Sequence, residues 1–140
     1  MKMSITSLDE LAGVATQVLD HLVKTNQKFV IFKGEMGVGK TTLINEMVQQ
    51  MGIEGSGSSP TFSIINEYFS VNYGTIYHFD FYRIEDETEA FDIGIEEIFE
   101  KDAYVFIEWP ERIKNLLPPS IVCLNMTEEN QVRTIEVTDL

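Results

Sequence analysis

Apolar residues recur at helical spacing near the start of the chain. Leu8, Leu11, Val14, Ala15, Val18, Leu19 and Leu22 share one face and predict a helix to about Lys24. Ser7-Leu8-Asp9-Glu10 reads as its capping box, with a serine at the cap and a glutamate three residues on. The period then changes. Phe29-Val30-Ile31-Phe32 is an unbroken apolar run between Lys28 and Lys33, short enough for a strand buried on both faces. A glycine-punctuated turn leads into a second helical stretch to about Met51, which Gly52 can terminate. Two strand-like runs, Phe62 to Phe69 and Thr75 to Phe81, are joined by Asn72-Tyr73-Gly74 and predict a hairpin. Short helices are expected between Glu85 and Asp102, then a strand at Ala103 to Ile107. A helical piece ending at Pro118-Pro119 and strands at Ile121 to Met126 and Val132 to Val137 complete the reading. Helix and strand alternating around a buried first strand predict an α/β sheet, partly parallel, with helices on both faces.

Composition narrows the class. A chain of 140 residues, 44% of them hydrophobic, suits a single domain over residues 1–140. Ten Lys+Arg stand against 23 Asp+Glu, a formal net charge of -13. That surface repels phosphate backbones, so the chain is not expected to hold DNA or RNA itself, nor anionic membranes. No apolar run approaches the roughly 20 residues a spanning helix needs. MKMSITSLDE lacks an apolar core followed by a cleavage site, so no secretory signal is expected. The single Cys123 excludes an internal disulfide or a cysteine-based zinc cluster and reads as a buried small hydrophobe. A cytoplasmic protein is expected.

The glycine-punctuated turn carries the chemistry. Gly34-Glu35-Met36-Gly37-Val38-Gly39-Lys40-Thr41 fits G-x-x-x-x-G-K-[ST] at every fixed position. Glycines let the loop turn tightly, so that backbone N–H groups point inward and cradle β-phosphate oxygens. Lys40 supplies a point charge to the β- and γ-phosphates, the Thr41 hydroxyl can ligate Mg2+, and the following helix adds its N-terminal dipole. A chance match in a chain of ordinary composition is expected about 0.005 times. The motif also lies between a buried strand and a helix, where its mechanism requires it, so the fold class becomes a P-loop NTPase-like three-layer sheet of mixed parallel and antiparallel strands. With neither N-K-x-D nor D-x-x-G in the sequence, ATP is favoured over GTP.

Such a site needs an acid at the tip of a neighbouring strand. Asp80 ends Ile76-Tyr77-His78-Phe79, and Glu108 ends Tyr104-Val105-Phe106-Ile107; spacing does not say which ligates the metal and which orients water. Thr61, after Ser59-Pro60, is either a switch threonine sensing the γ-phosphate or a hydroxyl starting a strand. Trp109 reads as a half-buried anchor or a contact for ligand or partner. His78, inside an apolar run, reads as a core histidine.

Four motifs in order closely resemble the TsaE (YjeE) family: Gly34 to Leu43, Ser59-Pro60-Thr61-Phe62, His78-Phe79-Asp80-Phe81-Tyr82-Arg83 and Ile107-Glu108-Trp109-Pro110. Their spacing and the chain length agree with that family too. The chain departs from the family pattern at Glu35, usually Asp, and at Val38, usually Ala; neither change removes the backbone cradle or Lys40. The resemblance implies a small P-loop ATPase required for threonylcarbamoyl modification of the adenosine beside the anticodon in tRNAs reading codons that start with A. It implies action with a TsaB–TsaD heterodimer, whose TsaD subunit performs the transfer, while TsaC makes threonylcarbamoyl-adenylate. It further implies Mg2+ ligation by Thr41 and Glu108, assistance to hydrolysis by Asp80, and phosphate contact by Thr42. Trp109 would lie near nucleotide or partner, and Leu8 and Arg133 near the adenine. The tRNA would then be met only through partners.

Only Arg83, Arg112 and Arg133 are arginines. If none reaches the γ-phosphate, a partner must complete charge stabilisation, which predicts slow basal turnover stimulated by the partner complex. Rival readings are a small P-loop kinase, for which the acidic stretch after Arg83 makes a poor lid, and a non-catalytic module using nucleotide as a docking switch. Nine acids and one base lie between Glu85 and Asp102, either a docking face for a basic partner or a solvated face.

Overall fold

The computed structural model describes residues 1–53 and 64–140 of the chain. Gly55-Ser56-Gly57-Ser58-Ser59-Pro60, Thr61 and the expected strand start at Phe62 lie outside the described residues. Among the described residues, seven strands form one sheet: β1 (Lys2–Ile5), β2 (Phe29–Lys33), β3 (Ile65–Ser70), β4 (Gly74–Asp80), β5 (Tyr104–Glu108), β6 (Val122–Glu129) and β7 (Val132–Asp139). Their order across the sheet is β1-β7-β6-β2-β5-β4-β3. The inner four, β6-β2-β5-β4, run parallel, and the outer strands β1, β7 and β3 pair antiparallel.

Among the described residues, four α-helices cover the sheet: α1 (Leu11–Thr25), α2 (Lys40–Gln50), α3 (Glu87–Asp92) and α4 (Ile95–Phe99). Alternation along the buried strands explains the two faces. Val30, Phe32 and Phe106 point toward α1 and α2, whereas Ile31, Val105 and Ile107 point toward α3, α4 and a 3-10 turn at Pro110–Leu116. Chain connections pass to opposite faces around β2, and the crevice so formed opens at its C-terminal end, where open α/β sheets bind ligands.

Helix α1 buries the face its periodicity predicts: Leu11, Val14, Ala15, Val18, Leu19 and Leu22. Each large member contributes about 1.5–3 kcal/mol by leaving water. It ends at Asn26, left-handed at φ 54°, whose N–H reaches the Leu22 and Val23 carbonyls. Its start differs from the expected capping box. Ser7 makes no side-chain cap bond, residues Leu8–Glu10 form a separate 3-10 turn, and the Glu10 carboxylate accepts instead from the Thr6 hydroxyl at 3.0 Å. Leu8 is thereby lifted off the helix and is 63% exposed.

Strand β1 has no counterpart in the periodicity reading; it is four residues long and takes its pairing from β7, with Met3 opposite Ile135. Strands β6 and β7 run longer than expected because their outer residues pair with each other, from Val122 with Asp139 to Glu129 with Val132. Cys123 is buried, as read from the sequence. Among the described residues, no helix is long and apolar enough to cross a membrane.

Candidate functional site

The loop between β2 and α2 holds the site. Gly34 has φ +153°, and a Cβ placed there would lie 2.7 Å from the Met126 carbonyl oxygen of β6. Only glycine lets the chain leave β2 against its neighbour strand. Gly39, at φ +107°, is the left-handed residue from which α2 begins, and its carbonyl accepts the helix bond of Leu43 N–H at 3.0 Å. The amides of the first helical turn have no intrahelical acceptor and carry the positive end of the helix dipole.

Lys40 opens α2 and is 5% exposed. Its ammonium donates to the Gly34 carbonyl at 2.6 Å and lies 3.7 Å from the Trp109 ring centroid. Burial pushes this ammonium below its ordinary pKa, against an upward pull from the Glu108, Glu111 and Asp80 carboxylates. The Thr41 hydroxyl points at Glu108, 2.8 Å from Oε1 and 2.9 Å from Oε2.

The acids are set by the parallel register. Asp80 stands opposite Glu108 at the C-terminal ends of β4 and β5, and Phe32 of β2 stands opposite Glu108 on the other side. Glu108 is buried, while Asp80 is half-buried and accepts from the Tyr82 amide at 3.1 Å. Trp109 follows directly, in a left-handed conformation at φ 59° that a bulky residue seldom adopts. The turn brings its indole over Lys40 and within 5.1 Å of the Tyr82 ring.

A cavity of about 380 Å³ gathers these groups: Lys40, Thr41 and Thr42 from α2, Asp80 and Glu108 from the strand ends, and Trp109. Met36, Gly37 and Gly39 contribute the loop backbone. Leu8 and Arg133, remote in sequence, close the far side; the Arg133 guanidinium would lie 3.4 Å from a Cβ at Gly39. Glu35 and Val38 instead border a second cavity of about 450 Å³ on the β6 side of the loop, beside Asn125 and Thr127.

Two further neighbours were not singled out from the sequence for this site. Tyr82 lines the cavity, and His78, read as a core histidine, places Nε2 2.7 Å from Glu108 Oε2. The available signal for His78 was its position two residues before Asp80, hence on the same strand face.

The family model for TsaE, described as a threonylcarbamoyl adenosine biosynthesis protein, matches residues 5–135. The chain belongs to the TsaE family. It is 37% identical over 108 residues to the Haemophilus influenzae tRNA threonylcarbamoyladenosine biosynthesis protein TsaE, covering 77% of this chain and 68% of that protein. The Rickettsia felis TsaE is 33% identical over 125 residues, 89% of this chain and 71% of the relative. The Bacillus subtilis TsaE is 41% identical over 88 residues, 61% of this chain and 52% of the relative. The fold also matches the crystal structure of Bacillus subtilis YdiB, at a TM-score of 0.74 and 22% identity, covering 99% of this chain and 84% of the other.

For this TsaE chain, the donor set suits a hard cation. The Thr41 hydroxyl and the Glu108 carboxylate are oxygen donors already within 2.8–2.9 Å of each other beside the phosphate loop. Mg2+ takes one or two such protein oxygens and fills its octahedron with phosphates and water.

Proposed function

We propose that this TsaE chain is the ATP-hydrolysing subunit of tRNA threonylcarbamoyladenosine biosynthesis, a single P-loop domain working in the cytoplasm beside a TsaB–TsaD heterodimer. The observation that carries the ATPase reading is the direct contact of Thr41 with Glu108 at the foot of a glycine loop that also holds Lys40.

The loop amides and the first turn of α2 cradle the β-phosphate. Lys40 exchanges the Gly34 carbonyl and the Trp109 face for phosphate oxygens, and its charge offsets what develops on the γ-phosphate. Thr41 and Glu108 hold Mg2+, and Thr42 adds a hydroxyl to the phosphate contacts. Bound there, a divalent cation would supply positive charge to offset that of the phosphates. Asp80, beside Glu108 on the next strand, accepts a hydrogen bond from the attacking water and orients it. Trp109 and Tyr82 shield the phosphates from solvent. Arg133 supports a nucleotide contact from β7, with Leu8 giving an apolar edge to the far side of the cavity. The net charge of -13 supports leaving the tRNA to the partners.

The decisive experiment is ATP hydrolysis by the purified chain with and without the TsaB–TsaD complex and tRNA. Slow turnover that rises with the complex, and is lost in a folded Lys40→Ala variant, is expected. Hydrolysis unchanged in Lys40→Ala would refute the phosphate-loop reading; full-speed hydrolysis by the lone chain would refute the dependence on partners.

A further inference from the structure

His78 is buried in β4, with a side chain 6% exposed, and it has no role in the hydrolysis just described. Its Nε2 lies 2.7 Å from Glu108 Oε2. The register dictates the pairing: Asp80 faces Glu108 across β4 and β5, and His78, two residues earlier, projects on the same face one step deeper, opposite Phe106. Thr41 touches the same carboxylate from the helix side. Glu108 is therefore gripped from two directions by side chains of two different elements.

The contact with Glu108 is the one the imidazole completes. A carboxylate accepts hydrogen bonds, so Nε2 carries the hydrogen in this contact. Nδ1 is buried and has no hydrogen-bond partner among the described residues. A buried, unmatched polar atom costs free energy that an apolar side chain of similar size would avoid. Packing alone therefore does not explain a histidine on the sheet face that also carries Ile76 and Phe106. The hydrogen bond to Glu108 does.

We propose that His78 is a positioning residue that pins the Glu108 carboxylate through Oε2 and so holds Oε1 beside the Thr41 hydroxyl, where the two would ligate Mg2+. This rests on the nucleotide-hydrolysis reading above. Mg2+ demands near-ideal octahedral geometry, so a carboxylate free to rotate about its last torsion is a poorer ligand than one held in place. Partners of metal-ligating side chains characteristically govern metal affinity in this way.

The test separates the hydrogen bond from the bulk of the ring. Asparagine places its amide nitrogen near the imidazole Nδ1 position and falls short of Glu108, whereas glutamine reaches the Nε2 position. Binding of a non-hydrolysable ATP analogue to the full chain is measured calorimetrically across a Mg2+ series and in EDTA, for wild type, His78→Gln, His78→Asn and His78→Leu. His78→Asn and His78→Leu should need about tenfold more Mg2+ for half-maximal tightening, while His78→Gln stays within about threefold of wild type. Affinity in EDTA should be alike in all four. If His78→Leu does not fold, the asparagine–glutamine pair decides. Wild-type Mg2+ dependence in His78→Asn, or equal loss in His78→Gln and His78→Asn, overturns the positioning role. Wild-type affinity indifferent to Mg2+ overturns the metal–nucleotide reading itself, and the inference with it.

Discussion

The Thr41 hydroxyl stands 2.8 Å and 2.9 Å from the two carboxylate oxygens of Glu108, so one hydrogen is shared between both. The pair joins the start of α2 to the end of β5, elements separated by 67 residues in sequence. Substituting Thr41→Val removes the hydroxyl while keeping the shape of the side chain. ATP hydrolysis should fall by about 10- to 100-fold, with Thr41→Ser retaining most of it. Steady-state rates across a Mg2+ series check this; equal rates in Thr41→Val and wild type would count against metal ligation by Thr41.

Gly34→Ala should destabilise the fold by about 1–3 kcal/mol, because the added methyl meets the Met126 carbonyl at 2.7 Å with no flexible side chain to move aside. Urea denaturation measures the loss. An unshifted midpoint would mean that β2 and β6 are less closely apposed at this point.

Phe79 is fully buried on the α3–α4 face, stacked 5.3 Å from Phe81 and edge-on 6.1 Å from Phe99. Phe79→Ala leaves a cavity that the rings of Phe81 and Phe99 are too stiff to fill, and should cost about 3–5 kcal/mol. Thermal and urea unfolding give the value.

Burial pushes the Cys123 thiol above its ordinary pKa, more than Lys33 draws it down. Less thiolate is present at any given pH, so alkylation by iodoacetamide should be slow in the native chain and fast once it is unfolded. The linkage has a definite sign. Between the ordinary thiol pKa and the raised one, the unfolded thiol ionises and the folded one does not, so this group's contribution to stability declines as pH rises.

Lys40 shifts the other way. Its ammonium sits below the ordinary lysine value of 10.5 because it is buried. Only the charged form attracts phosphate, so ATP affinity in metal-free buffer should drop as pH climbs through that lowered pKa, at a lower pH than an ordinary lysine would give. The stability contribution has the opposite sense to that of Cys123: it grows as pH rises through the same window, since the unfolded lysine then binds the proton that the folded one has released. Calorimetric titration and denaturation at several alkaline pH values test both halves.

Periodicity and composition were enough for α1, β2, α2 and the hairpin of β3 and β4, because each repeats its apolar positions over a local stretch. The loop from Gly34 to Thr41 was equally legible, since its spacing encodes a backbone shape rather than a distant contact. Asp80 and Glu108 stood out because each ends an apolar run. β1 did not stand out: four residues carry too little pattern, and its partner Ile135 lies at the far end of the chain. The capping box at Ser7 was legible but unused, as the chain bends at the 3-10 turn of Leu8–Glu10 to bring Leu8 to the cavity.

The amino-acid sequence by itself thus determined that a phosphate loop sits between a buried strand and a helix, and which acids could face it. Tertiary structure alone decided that Thr41 and Glu108 touch, that His78 stands behind Glu108, and that Arg133 lies beside Gly39. Those outcomes depend on which strands lie next to β2 and in what register. A one-residue slip between β4 and β5 would turn His78 and Asp80 away from Glu108, and nothing in the local pattern of either strand specifies that offset.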